Sequence, residues 1–488
     1  MTRFPGRPAG RPFGSDYGRG RLTVSRGASR PAGIMAAAPP DDERAAARAY
    51  LRRLTPDLAP GQGVGEVLRR REAIIARLQD GWAARGEGEI DVVRNRHGSD
   101  VFPVVGEAFV APETWEEIRE EAEAAGLREV PLGHPELEGR LVRLRTGDPR
   151  RSRRLDALVD ALRDRGVAIA RAYATPLGGT PTMKPNSGMF APRVASFDAY
   201  AAEHALSDHG RGVVVAVVDT GIVGGQRPDG WLSSVTRVEH DGTARHGARS
   251  NVDPLDAEPD DGYLDVYAGH GTFVAGIVAQ VAPGAEIRAY RAVGPGGTGS
   301  ELEVACAIVQ AVRDGAHVVN LSLGTQTAFD EPSLPLAVAL DVVREIEDER
   351  GWQSVLVAAA GNCANTGPNW PAAFGRVVAV GGVDANLQPT TWSSRGPWVD
   401  ISTVAEGVVS TYVPGEQHPD FSCEPTTFGD DAFAYWVGTS FAAPQVSGAI
   451  ARTMTELGVD GPRAVHALLA AGKPVAGFGR ALHILPGV

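Results

Sequence analysis

Three short stretches place a carboxylate, an imidazole and a hydroxyl in settings suited to proton transfer. Asp219 ends the apolar run "VVVAVVD" and is followed by Thr220 and Gly221. His270 stands between Gly269 and Gly271 in "YAGHGTFVAGIVAQ", and Ser440 follows Gly438 and Thr439 in "VGTSFAAPQVSGAIA". A serine hydroxyl is a weak nucleophile at neutral pH. It needs a base to take its proton, and the base needs a carboxylate that fixes its tautomer and balances its charge. Asp, His and Ser in this chain order can supply all three roles. Taken singly, each has a plain structural reading: Asp219 as a strand-end cap, His270 as a hydrogen-bonded loop residue, Ser440 as a helix N-cap. The shared Gly-rich settings and the order favour chemistry.

Together "VVDTG", "GHGTFVAG" and "GTSFAAP" make the chain from about residue 200 to its end resemble the subtilisin-like serine proteases (subtilases, peptidase family S8). Two positions depart from the family pattern, Phe273 where His is usual and Phe441 where Met is common. Neither would carry the proton chemistry. The resemblance implies that "LVAAAGNCANTG" supplies an oxyanion-hole amide at Asn362, with the backbone N–H of Ser440 as second donor. It also implies a substrate cleft. Ser322, Leu323 and Gly324 of "NLSLG" would form one wall, Gly296 and Gly297 of "GPGGTGS" the opposite rim, and Ala359 and Gly361 the pocket base. The implied activity is that of a serine endopeptidase acting through an acyl-enzyme. The rival from another class is a non-catalytic subtilase-fold protein that binds peptides or partners, and an esterase is a third reading.

The elements that must position these residues follow from hydrophobic pattern. From about residue 196, runs apolar on both faces ("VVVAVVD", "VVNLSLG", "SVLVAAAGN", "RVVAVGGV") alternate with helical segments, which predicts a doubly wound, mainly parallel α/β sheet with helices on both sides. In such sheets ligand chemistry gathers at the carboxyl ends of the strands. Over 101–175 the order β-α-β-β-α-β predicts a small ferredoxin-like α+β domain. It is similar to the propeptide domain of subtilases, and so it is expected to occupy the active site in cis or to serve as a fixed regulatory domain. Residues 176–195, rich in Gly, Pro and Thr, read as a linker. Before the α+β domain, 41–100 read as a helical segment whose Arg-rich faces are expected to be solvated, and 1–40 as a disordered Arg/Gly/Pro-rich tail.

A formal net charge of −12 gives no global electrostatic case for nucleic acid or an anionic membrane, which leaves peptides and proteins as partners. Cys306, Cys363 and Cys423 are too few for a disulfide framework and show no metal-ligand spacing. With no apolar stretch of spanning length and no secretory leader pattern, a cytoplasmic location is expected. No cofactor is required by the chemistry. Calcium is the one candidate, in the acidic insert "NVDPLDAEPDDGYLD", although surface acidity is the favoured reading of that insert and its spacing is not that of an EF-hand loop. The Gly-rich "GPGGTG" lacks the unit that would make it a dinucleotide site.

Overall fold

The computed structural model describes residues 64–86, 88–146, 152–176, 208–233, 235, 251–257, 260–419 and 425–485. The expected tail over 1–40, the helical stretch before residue 64 and nearly all of the expected linker over 176–195 lie outside them.

Helix α1 (Val64–Ala84) buries Ile74, Leu78 and Trp82, one every turn, as a single apolar stripe. Its Arg-rich face differs from expectation, because Arg77 pairs with Asp261 at 3.2 Å and Arg85 pairs with Glu303. Part of that face is therefore an interface. After it come β1 (Pro103–Val110), α2 (Pro112–Ala124), β2 (Leu127–Val130), β3 (Val142–Thr146), α3 (Ser152–Asp164) and β4 (Ile169–Pro176). The strands pair antiparallel in the order β2-β3-β1-β4. Trp115, Ile118 and Ala122 of α2 and Val159 and Leu162 of α3 pack against Ala108, Val110, Leu127 and Leu144 to form this domain's own core. The β-α-β-β-α-β expectation over 101–175 matches this domain.

The larger domain is an eight-stranded sheet. Its elements in chain order are β5 (Val214–Asp219), α4 (His270–Val281), β6 (Glu286–Arg291), the short β7 (Thr298–Ser300), α5 (Glu301–Arg313), β8 (Val318–Leu321), α6 (Leu334–Arg350), β9 (Val355–Ala359) and β10 (Val378–Val383). There follow β11 (Ile401–Val404), the hairpin β12 (Val408–Thr411) and β13 (Phe433–Trp436), α7 (Thr439–Leu457), α8 (Gly461–Ala471), β14 (Lys473–Pro474) and β15 (Arg480–Ala481). The order is β14-β15-β11-β10-β9-β8-β5-β6, parallel except for the β14–β15 edge pair. Every residue of β5, β8, β9 and β10 is buried, which requires cover on both faces and explains why these strands read as unbroken apolar runs. The chain leaves β5 to one side for β6 and then crosses to the other side for β8. The carboxyl end of β5 is thus a topological switch point, where open α/β sheets place their chemistry.

One pairing joins the two domains. Ala174, Thr175 and Pro176 at the end of β4 run antiparallel to Ser300, Gly299 and Thr298 of β7, so the small sheet gains a fifth strand from the larger domain. Tyr173 reinforces the junction, its N–H donating to Glu301 Oε2 at 3.2 Å and its hydroxyl to Glu331 Oε1 at 2.9 Å.

Candidate active site

Asp219 is the last residue of β5, and His270 is the first of α4. Both are buried, and His270 Nδ1 lies 2.7 Å from Asp219 Oδ1. A carboxylate only accepts, so Nδ1 carries the proton and Nε2 is the basic nitrogen of the ring. Two glycines make the approach feasible. A Cβ on Gly271 would sit 2.0 Å from the Gly221 carbonyl oxygen, and Gly221 itself has φ +98°, a conformation that side-chain-bearing residues avoid. The strand end and the helix start therefore touch backbone to backbone.

Asp219 Oδ1 also accepts the N–H of Thr220 at 2.7 Å. The Thr220 hydroxyl donates to Asp253 Oδ2 at 2.7 Å and accepts the Gly271 N–H at 3.0 Å, while Gly269 N–H donates to the same Asp253 oxygen at 2.9 Å. Asp253 thus ties together the residues that follow Asp219 and those that flank His270. Burial pushes its carboxyl up to about 6, against the hydrogen bonds that lower it. The sequence reading missed this residue because it lies within the acidic insert, where it looks like surface charge. The following Pro254 and the Leu255 N–H that bonds Asp253 Oδ1 at 3.1 Å mark a built turn.

Ser440 is the second residue of α7, after Gly438 at φ +151°. Its Oγ is buried and makes no hydrogen bond among the described residues. The next side chain, Phe441, lies against the His270 ring at 5.3 Å between centroids, so the helix start faces the imidazole. The two departures from the family pattern meet: Phe273 and Phe441 are 4.7 Å apart, and Trp436 packs on both rings and on His270.

Asn362 lies three residues past β9. Its Oδ1 accepts both the N–H of Thr439 at 2.9 Å and the Thr439 hydroxyl at 3.0 Å, which orients the amide with Nδ2 turned away from Thr439. Gly361 N–H donates to the same hydroxyl at 3.1 Å. The structure therefore gathers Asp219, His270, Asn362 and Ser440 at the carboxyl ends of β5 and β9 and the start of α7.

The expected cleft residues divide by what their side chains do. Ser322 is fully buried and its hydroxyl donates to the Ser440 carbonyl at 2.7 Å, so its side chain supports α7. Asn320 links Ser322 to Ser447 of the same helix at 2.9 Å on each side. Leu323 is buried, and Gly324 meets Asn369, where a Cβ would come within 2.2 Å of the Asn369 amide nitrogen. Gly297, φ +95°, lies against the Tyr267 ring, and Gly296 precedes it in the turn that leads into β7. Ala359 ends β9 and Gly361, φ +96°, follows it beside Asn362. Cys363 is buried, its N–H donating to Ser394 Oγ at 3.1 Å.

In the acidic insert, Asp256 accepts the N–H groups of Asp261 and Gly262, and Asp265 accepts that of Ala257. These carboxylates shape the loop, and among the described residues they do not converge as a set of three metal donors.

Comparisons with known proteins identify the family of the larger domain. The chain is 32% identical to thermitase of Thermoactinomyces vulgaris over 257 residues, covering 49% of this chain and 74% of thermitase. It is also 32% identical to subtilisin Savinase of Lederbergia lenta over 259 residues, covering 51% of this chain and 79% of that protein. In fold it is similar to fervidolysin from Fervidobacterium pennivorans, described as a keratinolytic enzyme related to subtilisin, with a TM-score of 0.53 and 21% identity over 78% of this chain and 60% of that one. The subtilase family model matches residues 210–474, over half of the chain and all the residues gathered above. The chain belongs to the subtilase family of serine proteases.

Proposed function

We propose that this subtilase is an endopeptidase that cleaves peptide bonds through an acyl-enzyme on Ser440. The observation that carries the reading is the buried 2.7 Å contact between Asp219 Oδ1 and His270 Nδ1 beside the start of α7. It fixes the tautomer in which Nε2 can take the Ser440 proton. As Oγ attacks the carbonyl carbon, charge grows on the carbonyl oxygen, and the Asn362 amide with the Ser440 N–H at the positive end of α7 stabilises it. His270 then hands the proton to the leaving amine, Asp219 balances the imidazolium, and a water repeats the steps to release the acid. The sequence needs no cofactor.

The N-terminal domain fits an inhibitor in cis. Its last strand pairs with β7, which directly follows the rim residues Gly296 and Gly297 of the implied cleft. Among the described residues Cys306 and Cys363 form no disulfide, which suits a reducing setting that cell fractionation checks.

A serine-directed fluorophosphonate tests the reading. Labelling of the wild-type chain that disappears in Ser440→Ala supports it. A folded wild-type chain that takes no label, with its linker intact and after release of the N-terminal domain, supports the non-catalytic rival. Intact mass separates inhibitor from fixed regulator: cleavage within residues 174–200 identifies the former.

A further inference from the structure

A second cluster of reactive side chains lies where the domains meet, beside the middle of α5. His134, Glu136 and Cys306 each place a donor atom within 4.8 Å of the other two. Glu136 lies in the short turn Pro135–Leu137 of the N-terminal domain, His134 is the residue just before it, and Cys306 lies on α5 of the protease domain. Leu137, fully buried in the core shared by both domains, pins the turn against that helix. Cys306 is buried and in no disulfide, while His134 and Glu136 are half-buried, so the group is reachable from solvent on the turn side.

We propose that these three residues form a metal clip for a zinc-class divalent ion, and that the ion holds the N-terminal domain on the protease domain. The donor set is the reason. One thiolate, one carboxylate and one neutral imidazole balance a 2+ charge, so the ion enters a largely buried place with no net charge left over. Thiolate and imidazole select a borderline ion over calcium or magnesium, which take oxygen ligands. Three protein ligands leave a fourth, tetrahedral position for water. Bond lengths of about 2.0–2.3 Å set donor separations near 3.3–3.6 Å, so the present spacing needs roughly 1 Å of closure, within reach of the Glu136 and His134 rotamers. A thiol must give up its proton to ligate the ion. Binding therefore expels that proton to solvent, and affinity rises with pH. The inference is independent of whether Ser440 is a nucleophile.

The test uses the full chain carrying Ser440→Ala, so that the linker stays uncut, after treatment with a chelator. Titration with Co²⁺ is expected to give a thiolate-to-cobalt charge-transfer band in the near ultraviolet at one equivalent, displaced by Zn²⁺, with release of a proton. Cys306→Ser should abolish the band. His134→Ala and Glu136→Gln, which alter half-buried residues, should each weaken binding by more than the roughly 10–100-fold that losing an outer partner costs, and they keep the test alive if Cys306→Ser does not fold. No band and no stoichiometric Zn²⁺, or a band unchanged by these substitutions, overturns the site. Zn²⁺ should also raise the melting midpoint of the chain but not that of His134→Ala. A bound ion that leaves the midpoint unmoved overturns the coupling between domains.

Discussion

Thr439 holds Asn362 twice, through its N–H and its hydroxyl, on the single oxygen Oδ1. The residue before the nucleophile thus aims the amide that would receive the oxyanion. Asn362→Ala is expected to lower kcat by about 10²–10³, the size of loss seen when such a donor is removed in the relative subtilisin, with little change in KM. Thr439→Val removes one of the two bonds and leaves the buried Gly361 N–H without its acceptor, costing about 1–3 kcal/mol of stability and a smaller share of kcat. Steady-state kinetics on a peptide ester and thermal melts read both.

Asp253 is expected to matter nearly as much although it touches no substrate. In Asp253→Ala the Thr220 hydroxyl and the Gly269 N–H both lose their acceptor in a buried place, which loosens Asp219 and His270 together. Melting midpoint and kcat should fall together. Its carboxyl is raised in the folded state to about 6, so the stability it lends is greatest below its unfolded value of about 3.9 and is lost as pH rises through 6. Asp253→Asn should flatten that part of the stability–pH curve.

Glu301 offers a second window. Buried at the junction and accepting the Tyr173 N–H, it is pushed from its usual 4.5 to about 8, mostly by burial and further by Glu331 and Glu107. Folding of the full chain therefore takes up a proton between those values, and the stability Glu301 lends is lost as pH rises from about 4.5 through 8. Melts of the full chain carrying Ser440→Ala should show this loss, and Glu301→Gln should remove most of it. A curve identical with and without Glu301→Gln refutes the assignment.

The paired rings Phe273 and Phe441 replace the residues usual in the family, and they touch each other at 4.7 Å. Phe441→Met conserves volume, so it is expected to cost under about 1.5 kcal/mol and to leave kcat/KM within a few-fold. Phe441→Ala opens a cavity beside His270 and should cost about 3–5 kcal/mol.

What the sequence revealed and what it hid divide along physical lines. Asp219, His270, Ser440 and Asn362 each sit at the end of an element that an apolar run announces, so strand ends and helix starts could be read locally. The β-α-β-β-α-β order was legible for the same reason. Hidden were relationships with no local pattern. Asp253 looks like loop acidity until burial and the Gly269 N–H show otherwise. Ser322 reads as part of a cleft segment, and nothing local announces that its hydroxyl braces the Ser440 carbonyl. Cys306 meets His134 and Glu136 only because two domains dock, and Arg77 and Arg85 leave the solvated face for partners in the other domain. In each case a long-range partner decided the role.

Under the proposed role of the N-terminal domain as an inhibitor in cis, the shared edge of β4 and β7 makes the onset of activity a strand-exchange problem. The chain's own segment is tethered next to the rim, so its local concentration exceeds that of any free peptide. On that reading a first substrate has to displace it before turnover. Progress curves from freshly folded protein should open with a lag whose length does not change on dilution, because the competitor travels with the enzyme.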